Sequence, residues 1–209
     1  MTRDQVVQLL GWRLGDRDDM ALRIELEMKL AQSTVLEVHA WLPWFLLKDW
    51  SGALTTAGAE TVPLPADFLD EAEESHLYIK LGDQWKRLRK MDLDSARSYY
   101  TTNGVPQAYA RLGERLYLAP IPDAAYELKM EYYGRDTDMT AANVETQWLR
   151  YASDLVIAVV GKELAEKHIQ NPEQAAAFSA DIELAWNRLY TQHVAMGEVN
   201  QSRSLGRDS

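Results

Sequence analysis

The chain contains no cysteine, which excludes disulfides, thiolate metal sites and cysteine nucleophiles. Positive charge is scarce as well: 22 Lys and Arg stand against 32 Asp and Glu, for a net charge of −10. Duplex binding needs clustered cations that displace counterions, so general nucleic-acid binding is excluded, and a negative surface repels DNA. Long apolar runs are missing too. LVIAVV at 155–160 and WLPWFLL at 41–47 fall far short of the roughly 20 residues that cross a bilayer. The opening MTRDQVVQ lacks the charged-then-apolar order of a secretion signal. Together these absences predict a soluble protein made in the cytosol with no membrane partner.

Chemistry-bearing patterns are equally thin. His39, His76, His168 and His193 are scattered without the two-on-one-face spacing of a metal site. GKE at 161–163 lacks the upstream glycine and the following Ser or Thr of a phosphate loop, and it lies inside a helical pattern. Asp16, Asp18 and Glu27 fall on calcium-loop positions, but Met20 and Ala21 occupy a ligand position and the turn-glycine position, so helix capping explains the acids. Asp70, Glu71, Glu73 and Glu74 have no neighbour that would keep one of them protonated, which makes them a solvated loop. No serine or threonine sits in a nucleophile-elbow context. The residues therefore predict no enzyme, no cofactor and no metal. Two surpluses remain: a basic run of Lys86, Arg87, Arg89 and Lys90 beside Trp85, and a middle region rich in tyrosine.

Against those absences, 46% hydrophobic content in 209 residues supports a proper core. Helical signals lie at both ends and strand signals between them, which gives an α+β fold: a helical bundle from the N- and C-terminal helices with an inserted small antiparallel β-domain. The expected segments are 1–54 helical, 61–139 β, 142–197 helical and 198–209 a flexible tail that docks on a partner. VVQLLGWRL reads as a short first helix. A long helix is expected from about Asp18 to Trp41 on a core stripe of Leu22, Leu26 and Leu30, widened by Ile24, Met28, Val35 and Val38. WFLLKDWSGALTTAGAE then reads as a connector.

In the middle, HLYIKL and QWKRLRKM around Gly82-Asp83, and QAYARLG and RLYLAP around Gly113-Glu114, predict two hairpins. RLYLAPIPDAAYELKMEYYGR at 115–135 reads as two strands joined by a stiff bend, since neither Pro120 nor Pro122 can donate to a ladder. Tyr126, Leu128, Met130 and Tyr132 alternate with Glu127, Lys129 and Glu131, one face toward a core and one toward water. Beyond it, Asn171-Pro172-Glu173-Gln174 is a helix start signal, followed by a stripe of Phe178, Ile182, Ala185, Trp186 and Leu189. Residues 155–160 are apolar on every side, so their helix must be enclosed on every side.

Several stretches resemble the SU10-like head-to-tail adaptors (connectors) of short-tailed bacteriophages. They are the LPWFLL segment after the long helix, Val62-Pro63-Leu64-Pro65-Ala66-Asp67-Phe68, Gly104-Val105-Pro106, and Leu118-Ala119-Pro120-Ile121-Pro122-Asp123 with Tyr126 and Tyr132-Tyr133. The resemblance implies a structural virion protein at the tail vertex, forming a ring, typically a dodecamer, that joins the portal protein to the tail nozzle or tail fibre proteins. DNA would pass through the ring without specific binding. Candidate partner-binding residues are Leu155, Val156, Val160 and Trp186 toward neighbouring copies, with Arg203, Leu205 and Arg207 in the tail toward the portal. The alternative is a glycan- or receptor-binding β-domain on a helical stalk, built on the aromatic residues of the middle region.

Overall fold

The computed structural model describes residues 1–72, 76–99, 102–140 and 145–205, with the side chains of Asp18, Tyr99 and 197–205 outside that description. The chain forms two compact units, Met1–Leu46 with Asp136–Ser209, and Leu47–Arg135 between them.

The helical unit begins with α1 (Arg3–Arg13), which starts in a capping box. Thr2 accepts from the Gln5 N–H while the Gln5 side chain accepts from the Thr2 N–H. After a turn and a 3₁₀ segment at Asp18–Met20, α2 spans Ala21–Ala31. It does not run on to Trp41 as a regular helix. At Gln32–Leu36 it widens into a π-helical turn, where Thr34 Oγ1 donates to the Leu30 carbonyl at 2.7 Å and competes with the backbone ladder. The buried face of α2 also differs from the expected stripe. Ile24, Glu27, Met28 and Ala31 point inward, while Leu22, Leu26 and Leu30 are 81%, 57% and 41% exposed.

The β unit opens with β1 (Leu47–Leu54), in the segment whose Gly, Ser and Thr content suggests a connector. The strand lies at a sheet edge, only half-buried, and carries a bulge at Gly52 with φ +79°. β2 (Thr61–Pro63), β3 (Phe68–Glu71), β4 (Tyr78–Leu81), β5 (Gln84–Arg87) and β6 (Arg89–Lys90) follow, then the short helix α3 (Leu93–Tyr99), which the periodicity does not announce. β7 (Ala108–Leu112), β8 (Arg115–Ala119) and β9 (Glu127–Gly134) complete the unit.

Both expected hairpins are present, closing at Leu81↔Gln84 and Leu112↔Arg115, with Gly82 and Gly113 at positive φ as their turns require. The strands at 115–135, however, do not pair with each other. β9 is central in one sheet, flanked by β1 on one side and by β3 and β4 in line on the other, with β5 outermost; β8 is central in the second sheet, ordered β2-β8-β7-β6. The proline bend therefore carries the chain from one sheet to the other. Between the sheets lie Val62, Ile79, Tyr109, Leu116, Leu118, Leu128, Met130 and Tyr132. The second sheet is covered on its far face by α3, where Ala96 meets Ala108, Ala110 and Ala119, small residues that permit a close approach.

Back in the helical unit, α4 (Gln147–Tyr151) and α5 (Ser153–Leu164) lead through a π-helical turn at Ala165–Ile169 to α6 (Pro172–Leu205). Asn171 Oδ1 accepts from the Gln174 N–H, as the start signal requires. The backbone of α6 continues helically through 198–205, where the sequence suggests a loose tail. α5 is packed by α1, α2, α4 and α6. At its crossing with α6, Gly161 leaves room for Phe178: a β-carbon there would lie 2.5 Å from the ring. GKE is thus a packing contact, which removes what remained of the phosphate-loop pattern. Gly161→Ala is expected to destabilise the protein by about 1–3 kcal/mol through overpacking, measured by denaturant melts; Gly58→Ala, at φ +78° in a turn with open space around it, separates backbone strain from this steric effect.

Candidate functional site

The polar residues of the described chain converge at four places, and in each they hold the fold together. The first is Asp67, from the VPLPADF stretch. Lys48 Nζ donates to Asp67 Oδ2 at 2.6 Å and to the Arg135 carbonyl at 2.7 Å, and the Tyr132 hydroxyl donates to Asp67 Oδ1 at 2.9 Å. The Arg135 N–H closes the ring on the Asp67 carbonyl. Phe68 stacks on Tyr132 with Arg111 over its other side. The motif thus binds the first strand of the β unit to its last. Gly134 is confined by the same clamp, since a β-carbon there would lie 2.6 Å from Lys48 Cδ.

Electrostatics follow the geometry. Partial burial pushes the Asp67 carboxyl up, but the Lys48 ammonium and Tyr132 hydroxyl outweigh it and hold the group below its ordinary 3.8. Burial, then the hydrogen bond to Asp67 and its charge, push the Tyr132 phenol up to about 12.

The second place is Gln32 in the helical unit. Its Nε2 donates to Glu37 Oε1 at 2.9 Å and to the carbonyls of Asp136 and Thr137, while its Oε1 accepts from the Met139 N–H at 3.0 Å. Asp136 in turn accepts from the Trp148 N–H and caps the start of α4. Gln32 and Glu37 are buried, and a fully connected network of this kind fixes the returning chain against the π-helical turn. The third place is Glu27, buried on α2, with Lys167 Nζ at 3.6 Å and His168 Nε2 at 3.4 Å. The calcium-loop pattern is closed by it, because Glu27 points into the helical unit.

The fourth place overturns the expected solvated loop, because Asp70 and Glu71 lie on strand β3 and the Glu71 side chain is buried. Glu71 Oε2 accepts from Lys90 at 2.9 Å and from the Tyr109 hydroxyl at 3.1 Å; Asp70 pairs with Arg111; Glu73 and Glu74 lie outside the described residues. Burial pushes the Tyr109 phenol up, and the Glu71 charge and hydrogen bond push it further. Among the described residues no three His, Asp or Glu are grouped to hold a metal. His39 and His193 share one aromatic cluster, His39 stacked on Trp186 at 3.8 Å and His193 against Trp41, while His76 lines a cleft of about 580 Å³ beside β5.

The candidate partner residues fare unevenly. Leu155, Val156 and Val160 are 0% exposed in the single chain, so its own helices already cover the all-round apolar segment and no neighbour can touch those side chains as folded. Trp186 is half-buried between His39 and Trp41 of the same chain. The side chains of Arg203 and Leu205, and all of Arg207, lie outside the described residues. Sequence periodicity did find the exposed apolar face, Leu22–Leu26–Leu30, but assigned it to the core.

In each cluster the buried polar groups serve the closure of their own unit. The family model of the SU10 adaptor protein matches residues 1–205, and the chain belongs to that family. It is a bacteriophage adaptor, a structural component of the virion. No curated protein matches the chain.

Because the Asp67 charge is favoured in the folded state, its contribution is present above pH 3.8 and disappears as pH falls through the lower folded value; the Tyr132 contribution is full below pH 10 and disappears as pH rises through about 12. Asp67→Asn and Tyr132→Phe are each expected to lower stability at pH 7 by about 1–3 kcal/mol. In melts across pH, the deficit of Asp67→Asn should shrink under acid and that of Tyr132→Phe should shrink above pH 10.

Proposed function

We propose that the chain assembles into a ring of its own copies at the tail vertex, joining the portal protein to the tail nozzle or tail fibre proteins around the DNA channel. The observation that carries this reading is the leucine face of α2. Leu22, Leu26 and Leu30 stand in line on the helical unit, with Val38 exposed one π-turn further on. An aligned apolar stripe of this kind marks an interaction surface.

A ring needs two different faces on each copy, since a head-to-tail contact closes only by rotation. The same unit supplies a second. Leu184 is exposed on α6, one turn beyond the small, exposed Ala180 and two turns beyond Ala177. Leucines of one copy inserting over the small residues of the next give a heterologous contact in which both apolar faces leave water. Net charge of −10 suits a channel from which DNA must pass freely. Arg203, Leu205 and Arg207, at and beyond the end of α6, are the segment for clasping the portal, and twelve copies match the resemblance.

Sedimentation velocity of the chain with purified portal rings tests this reading. Wild type should co-sediment as a ring on the portal. Leu22→Glu with Leu26→Glu should remain monomeric while melting within about 0.5 kcal/mol of wild type, because both side chains are exposed in the monomer. A doubly substituted chain that joins the portal like wild type, or a wild type that stays monomeric beside it, contradicts the reading.

A further inference from the structure

The ring reading leaves the basic strand unused. β5 is the outermost strand of the five-stranded sheet and β6, one residue later, is outermost in the four-stranded sheet, so a single stretch of chain edges both. Every residue of β5 and β6 is exposed, while Leu88 between them is fully buried and anchors the stretch. The Leu88 N–H donates to the Leu77 carbonyl at 2.8 Å. Hydrogen-bonded and non-bonded pairs alternate along an antiparallel ladder, so the N–H and C=O groups of Trp85 and Arg87 point away from β4 to the open side. Among the described residues nothing pairs with them.

The open edges of this sheet are not alike: β3, which pairs only with β9, is interrupted by a register shift between Phe68 and Asp70. β1 is interrupted by its bulge at Gly52, a feature that turns an edge away from further pairing. β5 has neither bulge nor proline. Lys86 and Arg87 have no carboxylate partner among the described residues, and Trp85 is 39% exposed, with Lys80 Nζ 5.7 Å from its ring centre. Like charges on β5 oppose pairing with the same strand of a second copy, but they favour a partner of opposite sign.

We propose that β5 is the docking edge for an extended acidic segment of a partner protein, which adds to the five-stranded sheet as a further strand. Its backbone would satisfy the outward N–H and C=O groups of Trp85 and Arg87, the mode of recognition by strand addition. Trp85 and Arg87 share one face of the sheet and Lys86 lies on the other. The segment therefore needs a carboxylate across from Arg87, an apolar side chain across from Trp85, and a second carboxylate on the opposite face near Lys86. A nucleic-acid strand fits less well: its phosphates offer acceptors only, which leaves the two carbonyls unpaired, and it must approach a chain of net charge −10.

The test needs no ring. Fluorescence anisotropy is followed with a labelled peptide of about nine residues centred on Glu-Glu-Val, which puts the first Glu and the Val on one face and the second Glu on the other, with its Lys-Lys-Val counterpart, and with a single-stranded oligonucleotide of about 16 nucleotides, lengths on the scale of a strand and of a single-strand site. The Glu-Glu-Val peptide should bind wild type and the Lys-Lys-Val peptide should not. Arg87→Pro removes an N–H that the protein's own ladder does not use, so it should keep the wild-type Tm and weaken the acidic peptide at least about tenfold, or 1.4 kcal/mol. If Arg87→Pro fails to fold, Lys86→Glu with Arg87→Glu decides the question by the same loss. The proposal is overturned if the acidic peptide does not bind wild type, if it binds these variants equally, or if the oligonucleotide binds in its place.

Discussion

Enclosure of one segment, 155–160 on α5, is the constraint on which the helical unit rests. Leu155, Val156, Val159, Val160 and Leu164 on this helix are all buried, each contributing about 1.5–3 kcal/mol relative to exposure. Their sum is comparable with the whole net stability of a typical domain, about 5–15 kcal/mol. A helix apolar on every side cannot lie on a surface, so α1, α2, α4 and α6 must surround it. Gly161 follows from the same demand, because α6 can cross closely enough to seal the segment only where Phe178 meets no β-carbon.

Once α5 is sealed, the outward faces of its neighbours are left exposed. α2 is apolar on two faces, and the inward one, with Ile24, Met28 and Ala31, is used up on α5. The leucine face is left over. The exposed apolar side chains lie on the covering helices, and α5 keeps none for a neighbour. In the β unit the corresponding constraint is the Asp67 clamp, which closes the first strand onto the last and leaves the sheet free to present an open edge at β5.

The α+β architecture, both hairpins, the Asn171 cap and the alternation of β9 were legible because each depends on local chemistry: turn glycines, a capping side chain, a period of two. What was not legible depended on which face meets which. Leu22–Leu26–Leu30 and Ile24–Met28 are both valid helical stripes, and periodicity cannot say which one the rest of the chain will cover. β1 escaped because an edge strand with a glycine bulge has the composition of a linker. β7 and β8 are buried on both faces, by the core and by α3, so alternation is replaced by small and large apolar residues. The VPLPADF stretch was visible as a motif, but the role of Asp67 needed Lys48 and Tyr132, which are distant in sequence.

Hydrogen exchange read by mass spectrometry, on the monomer and on the portal-bound assembly, addresses the enclosure of α5 most directly. The account predicts that amides at 155–160 in the dilute monomer exchange only through global unfolding and gain nothing further from assembly, whereas protection rises at 22–30. Rapid exchange at 155–160 in the monomer, slowed only when copies assemble, would contradict it.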